Sequence, residues 1–235
     1  MRPFCGPLEE GVLIRRYKRF LADVQVPNGE LRTIHVANPG AMTGLAEPGS
    51  RVLMSRSENP RRKLPWSWEL VQCGRIWACV NTLVANRVVG WWLRSGRLYP
   101  DQGSIRSEPC RQNTRFDFLV GEDLWIEVKS VTLARAGIGY FPDSVSERAT
   151  RHLRELAGMR SARRVLLYFV ARGDVHEVRP AEDIDPAYAE ALRDAAQAGV
   201  EIRAVGARFD QRGAHWRGDL AVRLHFGKSC TAPRK

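Results

Sequence analysis

Arg115-Phe116-Asp117-Phe118-Leu119-Val120 and Leu124-Trp125-Ile126-Glu127-Val128-Lys129-Ser130 are two largely apolar runs joined by Gly121-Glu122-Asp123. Runs of this length around a glycine-bearing turn predict two paired strands. Side chains alternate across a strand, so Glu127 and Lys129 share one face while Leu124, Ile126 and Val128 share the other. If the two runs pair as a hairpin, Asp117 lies beside Glu127 on that same face. Two carboxylates and one ammonium then meet within a few ångströms.

That grouping suits phosphodiester hydrolysis. Two carboxylates can hold Mg²⁺, or Mn²⁺, which keeps waters and takes further ligands from the substrate phosphate. The metal eases deprotonation of bound water and offsets charge on the phosphate oxygens. Lys129 can orient the attacking water or stabilise the developing oxyanion. The pattern is similar to the D…(D/E)xK motif of the restriction-endonuclease-like superfamily. Glu108, ending Ser104-Ile105-Arg106-Ser107-Glu108, is a candidate third carboxylate, or a strand-end charge. An isolated E-x-K on a strand is ordinarily a solvated face; the upstream Asp, the tight turn and the helix that follows speak against that here.

Downstream, Phe141-Pro142-Asp143 leads into an expected helix from Ser144 to about Met159. Ser144-x-x-Glu147 has capping-box spacing, and Val145, Ala149, Leu153 and Leu156 form an apolar stripe. Arg148, His152 and Glu155 fall on a polar stripe opposite it. Six arginines lie between 148 and 164 against the single acid Glu155. The stripe, with Arg148, Arg151 and His152, is either an exposed basic surface or a phosphate-binding helix beside the carboxylates. Expected strands at 163–171 and 174–179 follow, then a helix opened by Asp185-Pro186 and closed by Gly199, and a strand over 200–205. Leu220, Val222, Leu224 and Phe226 alternate like a further strand, and Lys228 to Lys235 read as a solvated tail. Upstream, 85–98 reads as a helix burying Val88, Val89, Trp92 and Leu93, and 104–108 as a strand.

The first eighty residues have a different texture. Short runs at 12–14, 20–26, 31–36, 51–55, 68–71 and 76–80 are separated by Pro27-Asn28-Gly29, Asn38-Pro39-Gly40, Glu47-Pro48-Gly49 and Asn59-Pro60. Five or six short strands in this length predict an OB-like barrel over 1–83. The α/β remainder, 84–235, then forms a restriction-endonuclease-like mixed sheet flanked by helices. In the barrel, residues 51–63 carry five basic side chains, including Arg61, Arg62 and Lys63, ahead of Trp66 and Trp68. Cations interleaved with aromatics suit phosphates and stacked bases; the structural alternative is a solvated loop with Trp68 in the core. Arg15-Arg16-Tyr17-Lys18-Arg19 is a second basic cluster.

Composition agrees with a polyanionic partner. Of 235 residues, 37 are Lys or Arg and 26 Asp or Glu, a formal net charge of +11. DNA, single- or double-stranded and held mostly through its phosphates, is the expected partner. No helix-turn-helix or zinc-finger spacing is visible to read bases. An RNA-handling role stays open, since phosphate binding alone does not separate the two polymers. The ten residues from Met1 contain no apolar core for a secretory signal, and the apolar run Val165–Ala171 is too short to span a bilayer. Five cysteines without a CxxC pair fit reduced thiols. A cytoplasmic chain without a membrane partner is expected.

Longer motifs carry a resemblance. Arg16 to Val24, Asn38-Pro39-Gly40-Ala41-Met42-Thr43-Gly44, Trp68-Glu69-Leu70, Val80-Asn81-Thr82, Arg115 to Phe118, Ile126 to Leu133, Tyr140 to Asp143 and His152 to Leu156 together resemble the bacterial sugar fermentation stimulation protein A family over about residues 8 to 225. The resemblance implies an N-terminal OB-like domain, a restriction-endonuclease-like domain, DNA binding of low sequence specificity and a regulatory link to maltose metabolism. It carries the nuclease-type positions onto Asp117, Glu127 and Lys129, with Glu108 as an additional acid. Where the family usually reads Pro-Asn-Thr-Gly, this chain has Ala37-Asn38-Pro39-Gly40, which removes a hydroxyl and a backbone N–H. Two functions follow as expectations: a metal-dependent nuclease, or a non-catalytic DNA-binding regulator of sugar use built on a nuclease-like site.

Overall fold

The structure, a computed structural model, describes residues 1–100, 103–111 and 114–224. Phe226, Cys230 and the tail from Lys228 to Lys235 lie outside the described residues.

The first six strands are β1 (Leu8–Tyr17), β2 (Leu21–Gln25), β3 (Leu31–His35), β4 (Arg51–Arg56), β5 (Trp66–Cys73) and β6 (Ile76–Cys79). Strands β1, β2 and β3 form an antiparallel meander, and β4 returns to pair with β1. β5 pairs antiparallel with β4 and meets β3 in parallel at His35 and Ser67, which closes a five-stranded barrel in the order 1-2-3-5-4. This is the expected OB architecture. Leu13, Val24, Ile34, Val52, Met54 and Trp68 fill its interior, and the Trp68 ring N–H donates to the Leu70 carbonyl. Gly11 lets β1 cross closely over β2: a Cβ there would stand 2.3 Å from Val24 Cγ1.

β6 forms a hairpin with β5 and hands the chain to helix α1 (Leu83–Arg94). The helix begins two residues before the expected start because the Asn81 side chain accepts the Leu83 N–H. It stops four residues before Leu98, at a turn where Gly96 has φ +69° and its N–H donates to the Leu93 carbonyl. Leu98 is buried, but beyond that turn.

The second domain begins with β7 (Ile105–Ser107), β8 (Cys110–Arg111), β9 (Thr114–Arg115), β10 (Phe118–Val120) and β11 (Leu124–Val131), of which β8 and β9 pair only with each other as a separate two-stranded sheet. The single strand expected from Arg115 to Val120 is broken at Phe116-Asp117. There the backbone bonds to the 108–109 turn instead, through Phe116 N–H to Pro109 and Glu108 N–H to Asp117. β12 (Leu133–Arg135) and β13 (Ile138–Phe141) lead to helix α2 (Glu147–Gly158), then β14 (Arg163–Val170) and β15 (Glu177–Pro180). Helix α3 (Pro186–Gln197), β16 (Glu201–Asp210) and β17 (Gly213–Val222) complete the fold. β11, β14 and β16 run parallel, with the β10 hairpin on one side and antiparallel β17 on the other. β16 outruns the strand expected over 200–205 because its second half pairs with β17 and touches β6 of the barrel domain.

One face of this mixed sheet buries Leu124, Ile126, Val128, Val165, Leu167 and Phe169 against α1. The other buries Trp125, Leu166 and Tyr168 against α2 and α3. α3 is capped by Asp185 with Pro186 opening its first turn, as expected. α2 is capped by Ser146, whose hydroxyl accepts the Ala149 N–H; the capping box expected at Ser144 does not form. Ser146 wins because its own N–H is fixed by the Asp185 carboxylate, which sets the helix start two residues later. Val145 therefore precedes the helix and is 70% exposed, leaving Ala149, Leu153 and Leu156 as the buried stripe. Among the described residues no helix is long and apolar enough to cross a membrane.

Candidate active site at the domain junction

The β10–β11 hairpin pairs Phe118 with Ile126, so the preceding Asp117 comes beside Glu127. Asp117 is anchored at both oxygens: Asn86 of α1 donates to Oδ1 at 2.5 Å and the Val128 N–H to Oδ2 at 2.7 Å. Glu127 Oε1 takes the Lys129 ammonium at 2.6 Å and meets His152 Nδ1 at 2.6 Å. Glu127 Oε2 is buried and has no hydrogen-bond partner.

The two carboxylates are driven apart in proton affinity. Burial and the neighbouring Glu127 charge push Asp117 up to about 6, against the Val128 and Lys129 contacts. Burial also opposes ionisation of Glu127, yet the His152 hydrogen bond and the Lys129 ammonium hold its carboxyl below the ordinary range. One site thus holds an ionised carboxylate with an idle oxygen beside a second acid that keeps its proton up to about 6.

These groups border a cavity of about 430 Å³ between the domains. Asp117, Glu127, Lys129 and Ser130 form its floor, and the first turns of α1 and α2 bring Asn86 and Arg148 to its sides. The barrel supplies the opposite wall: Arg19 from the β1–β2 turn and the Asn38-Pro39-Gly40 loop. That loop is tied across the junction, since the Asp143 carboxylate accepts the Met42 N–H, and a Cβ at Gly40 would stand 2.2 Å from the Asp143 oxygens.

The other sequence candidates fall elsewhere. Glu108 is exposed, pairs with Arg115 at 3.4 Å and does not line the cavity. His152 faces inward, 6% exposed, correcting its expected place on a polar stripe opposite the apolar one; the reason is Glu127, which gives α2 a buried polar partner on β11. Arg151 is exposed and lies 3.9 Å from Glu155, which the Thr114 hydroxyl also engages. Arg61, Arg62 and Lys63 sit in the β4–β5 loop. Arg62 borders a separate opening with Cys5, Arg56 and Asn59 that shares no residue with the carboxylate cavity. Trp66 is half-buried with the Arg32 guanidinium 4.8 Å from its ring centre, and Trp68 is core. Sequence reasoning passed over Asn86 and Arg19. Asn86 sits in an apolar helix with nothing local to mark it, and Arg19 was only one cation in a basic cluster.

Among the described residues no group of three or more His, Cys, Asp and Glu side chains is arranged to hold a metal ion. Two carboxylates, one with an idle buried oxygen, are nonetheless a hard-oxygen donor set suited to Mg²⁺, which completes its shell with water and substrate.

The chain matches the sugar fermentation stimulation protein RE domain over residues 83–213 and the SfsA N-terminal OB domain over 14–80. It is 48% identical over 234 residues to a sugar fermentation stimulation protein homolog of Pseudomonas paraeruginosa, covering 94% of this chain and 99% of that protein. A homolog of the same name from Aeromonas hydrophila is 48% identical over 214 residues, covering 85% and 87%. The solved structure of Pyrococcus furiosus SfsA in complex with Ca²⁺ superposes with a TM-score of 0.86 at 24% identity, over 95% of this chain and 99% of that one, and has the same fold.

Proposed function

The chain belongs to the sugar fermentation stimulation protein family, and from that premise we propose that it binds DNA with low sequence specificity and cleaves phosphodiester bonds at the junction cavity. The observation that carries this reading is Glu127 Oε2, a buried carboxylate oxygen without a partner, in one cavity with Asp117 and Lys129. A buried polar atom left unsatisfied costs about 1–3 kcal/mol, more when charged. Where such an atom belongs to a cavity-lining side chain, water or an ion can complete its bonding.

Asp117 and Glu127 would hold Mg²⁺ or Mn²⁺, which when bound makes water a better nucleophile and neutralises charge on the phosphate. Around it, Asn86 and the Val128 N–H fix the two Asp117 oxygens. His152 and Lys129 converge on Glu127 Oε1 and leave the second oxygen of this cavity-lining side chain free for a ligand. Lys129 orients the attacking water and stabilises the charge that grows on the phosphoryl oxygens. Arg148, exposed beside the cavity, holds substrate phosphate. The net charge of +11 supports a polyanionic substrate. The Pyrococcus protein of this fold, solved in complex with the oxygen-seeking cation Ca²⁺, supports a divalent ion.

The test is cleavage of labelled single- and double-stranded DNA with Mg²⁺, Mn²⁺ or EDTA. Wild type should cleave only with metal, and Asp117→Ala and Lys129→Ala should each lose at least about 10²–10³-fold in rate. Absence of cleavage with DNA binding intact in all three proteins would instead favour the non-catalytic DNA-binding reading.

A further inference from the structure

We propose that Arg19 of the barrel and Arg148 of α2 form a two-walled phosphate clamp, and that one nucleic-acid strand passes between them over the carboxylates. The inference rests on the nucleic-acid reading above and assigns the barrel's contact to Arg19 rather than to the 61–63 loop.

Both side chains line the junction cavity, one from each domain. Neither guanidinium has a hydrogen-bond or ion-pair acceptor among the described residues, whereas Arg15, four residues before Arg19, is paired with Asp23 at 2.8 Å. Arg19 is also held in place. Lys18 and Arg19 occupy the left-handed region, at φ +47° and +62°, which costs a non-glycine residue free energy unless its surroundings impose it. Arg16 imposes it here. Its guanidinium donates to the carbonyls of Arg19 (3.0 Å), Ala41 (3.0 Å), Asn38 (2.9 Å) and Gly40 (2.9 Å), binding the turn to the cavity-wall loop. Asp143 then binds that loop to the nuclease-like domain. One arginine thus fixes the backbone of another that has no counter-ion among the described residues.

The ligand chemistry follows from the spacing of charge. One cation from each domain lines the cavity that holds the acidic pair, so a ligand matched to it carries more than one anion beside the position a divalent ion would take. Successive phosphates of one strand supply an anion for each cation, whereas a free phosphate supplies one.

The experiment is binding of labelled single-stranded and duplex oligonucleotides in Ca²⁺ across a salt series, for wild type, Arg19→Ala, Arg19→Gly, Arg148→Ala and the like-charged control Arg61→Ala. Each clamp variant should weaken binding about five- to tenfold and reduce the log K against log[salt] slope by about 0.7–0.9, the value of one phosphate contact, with losses in a double variant that add. Arg19→Gly, free to adopt the turn, should lose binding while keeping its melting temperature, separating contact from folding. Equal effects of Arg61→Ala and Arg19→Ala would reduce the clamp to general charge and overturn it, as would unchanged binding in Arg19→Ala. Wild type that binds through Arg19 but never cleaves leaves the clamp standing and sinks the nuclease; wild type that binds neither oligonucleotide overturns both.

Discussion

Two glutamates, one in each domain, are almost equally withdrawn from water and treated in opposite ways. Glu69 on β5 is 1% exposed and Glu127 on β11 is 4% exposed. Both oxygens of Glu69 are satisfied, Oε1 by the Ser55 hydroxyl at 2.7 Å and Oε2 by the Asn81 amide at 2.8 Å. Asn81 in turn accepts the first N–H of α1, so Glu69 links the barrel wall to the helix that opens the second domain. Its proton affinity is raised by burial, which the Ser55 and Asn81 bonds only partly offset. Glu127 has stronger cationic company on one oxygen and nothing on the other. Burial alone therefore does not mark a functional acid. What separates the two is whether the protein completes the hydrogen bonding itself or leaves one oxygen of a cavity-lining side chain without a partner.

Stability gives the largest contrast. Glu69→Ala strands a buried hydroxyl and a buried amide and should cost about 3 kcal/mol, a fall in Tm of roughly 6–12 °C in a chain of this size. Cleavage per folded molecule should persist, and a melt unchanged from wild type would break the view of Glu69 as a structural tie.

Asp117→Asn should move the other way. It removes a carboxylate that burial and Glu127 hold protonated up to about 6, and it should stabilise the metal-free protein by about 1–2 kcal/mol at pH 8 while abolishing cleavage. The sign comes from linkage. The folded Asp117 still holds its proton where the unfolded chain has released it, so its contribution to stability declines as pH rises from about 4 through about 6. The wild-type minus Asp117→Asn difference in unfolding free energy should slope downward across that window and flatten above it. A flat difference would remove the electrostatic coupling between the two acids.

How much of this was legible in the sequence depends on the reach of the forces involved. Period-two alternation brought Glu127 and Lys129 to one face, and the Gly121 turn brought Asp117 beside them, because both are local rules. Turn residues likewise delimited the barrel strands. The parallel closure of β3 on β5, the Asn86 and His152 contacts and the Arg19 wall are set by packing between segments 25 to more than 100 residues apart, as the Met42–Asp143 bond illustrates. Ser144 and Ser146 were both chemically fit to cap α2; only the distant Asp185 decided between them.

The central claim is that the unpartnered oxygen of Glu127 is a ligand for a divalent cation. Titration of the protein with Mn²⁺, counting free ion by electron paramagnetic resonance at pH 8, tests it on wild type, Glu127→Gln and Glu69→Gln. Wild type and Glu69→Gln should bind one ion with the same affinity, and Glu127→Gln should lose at least about tenfold in affinity. Equal binding by Glu127→Gln and wild type would contradict the account.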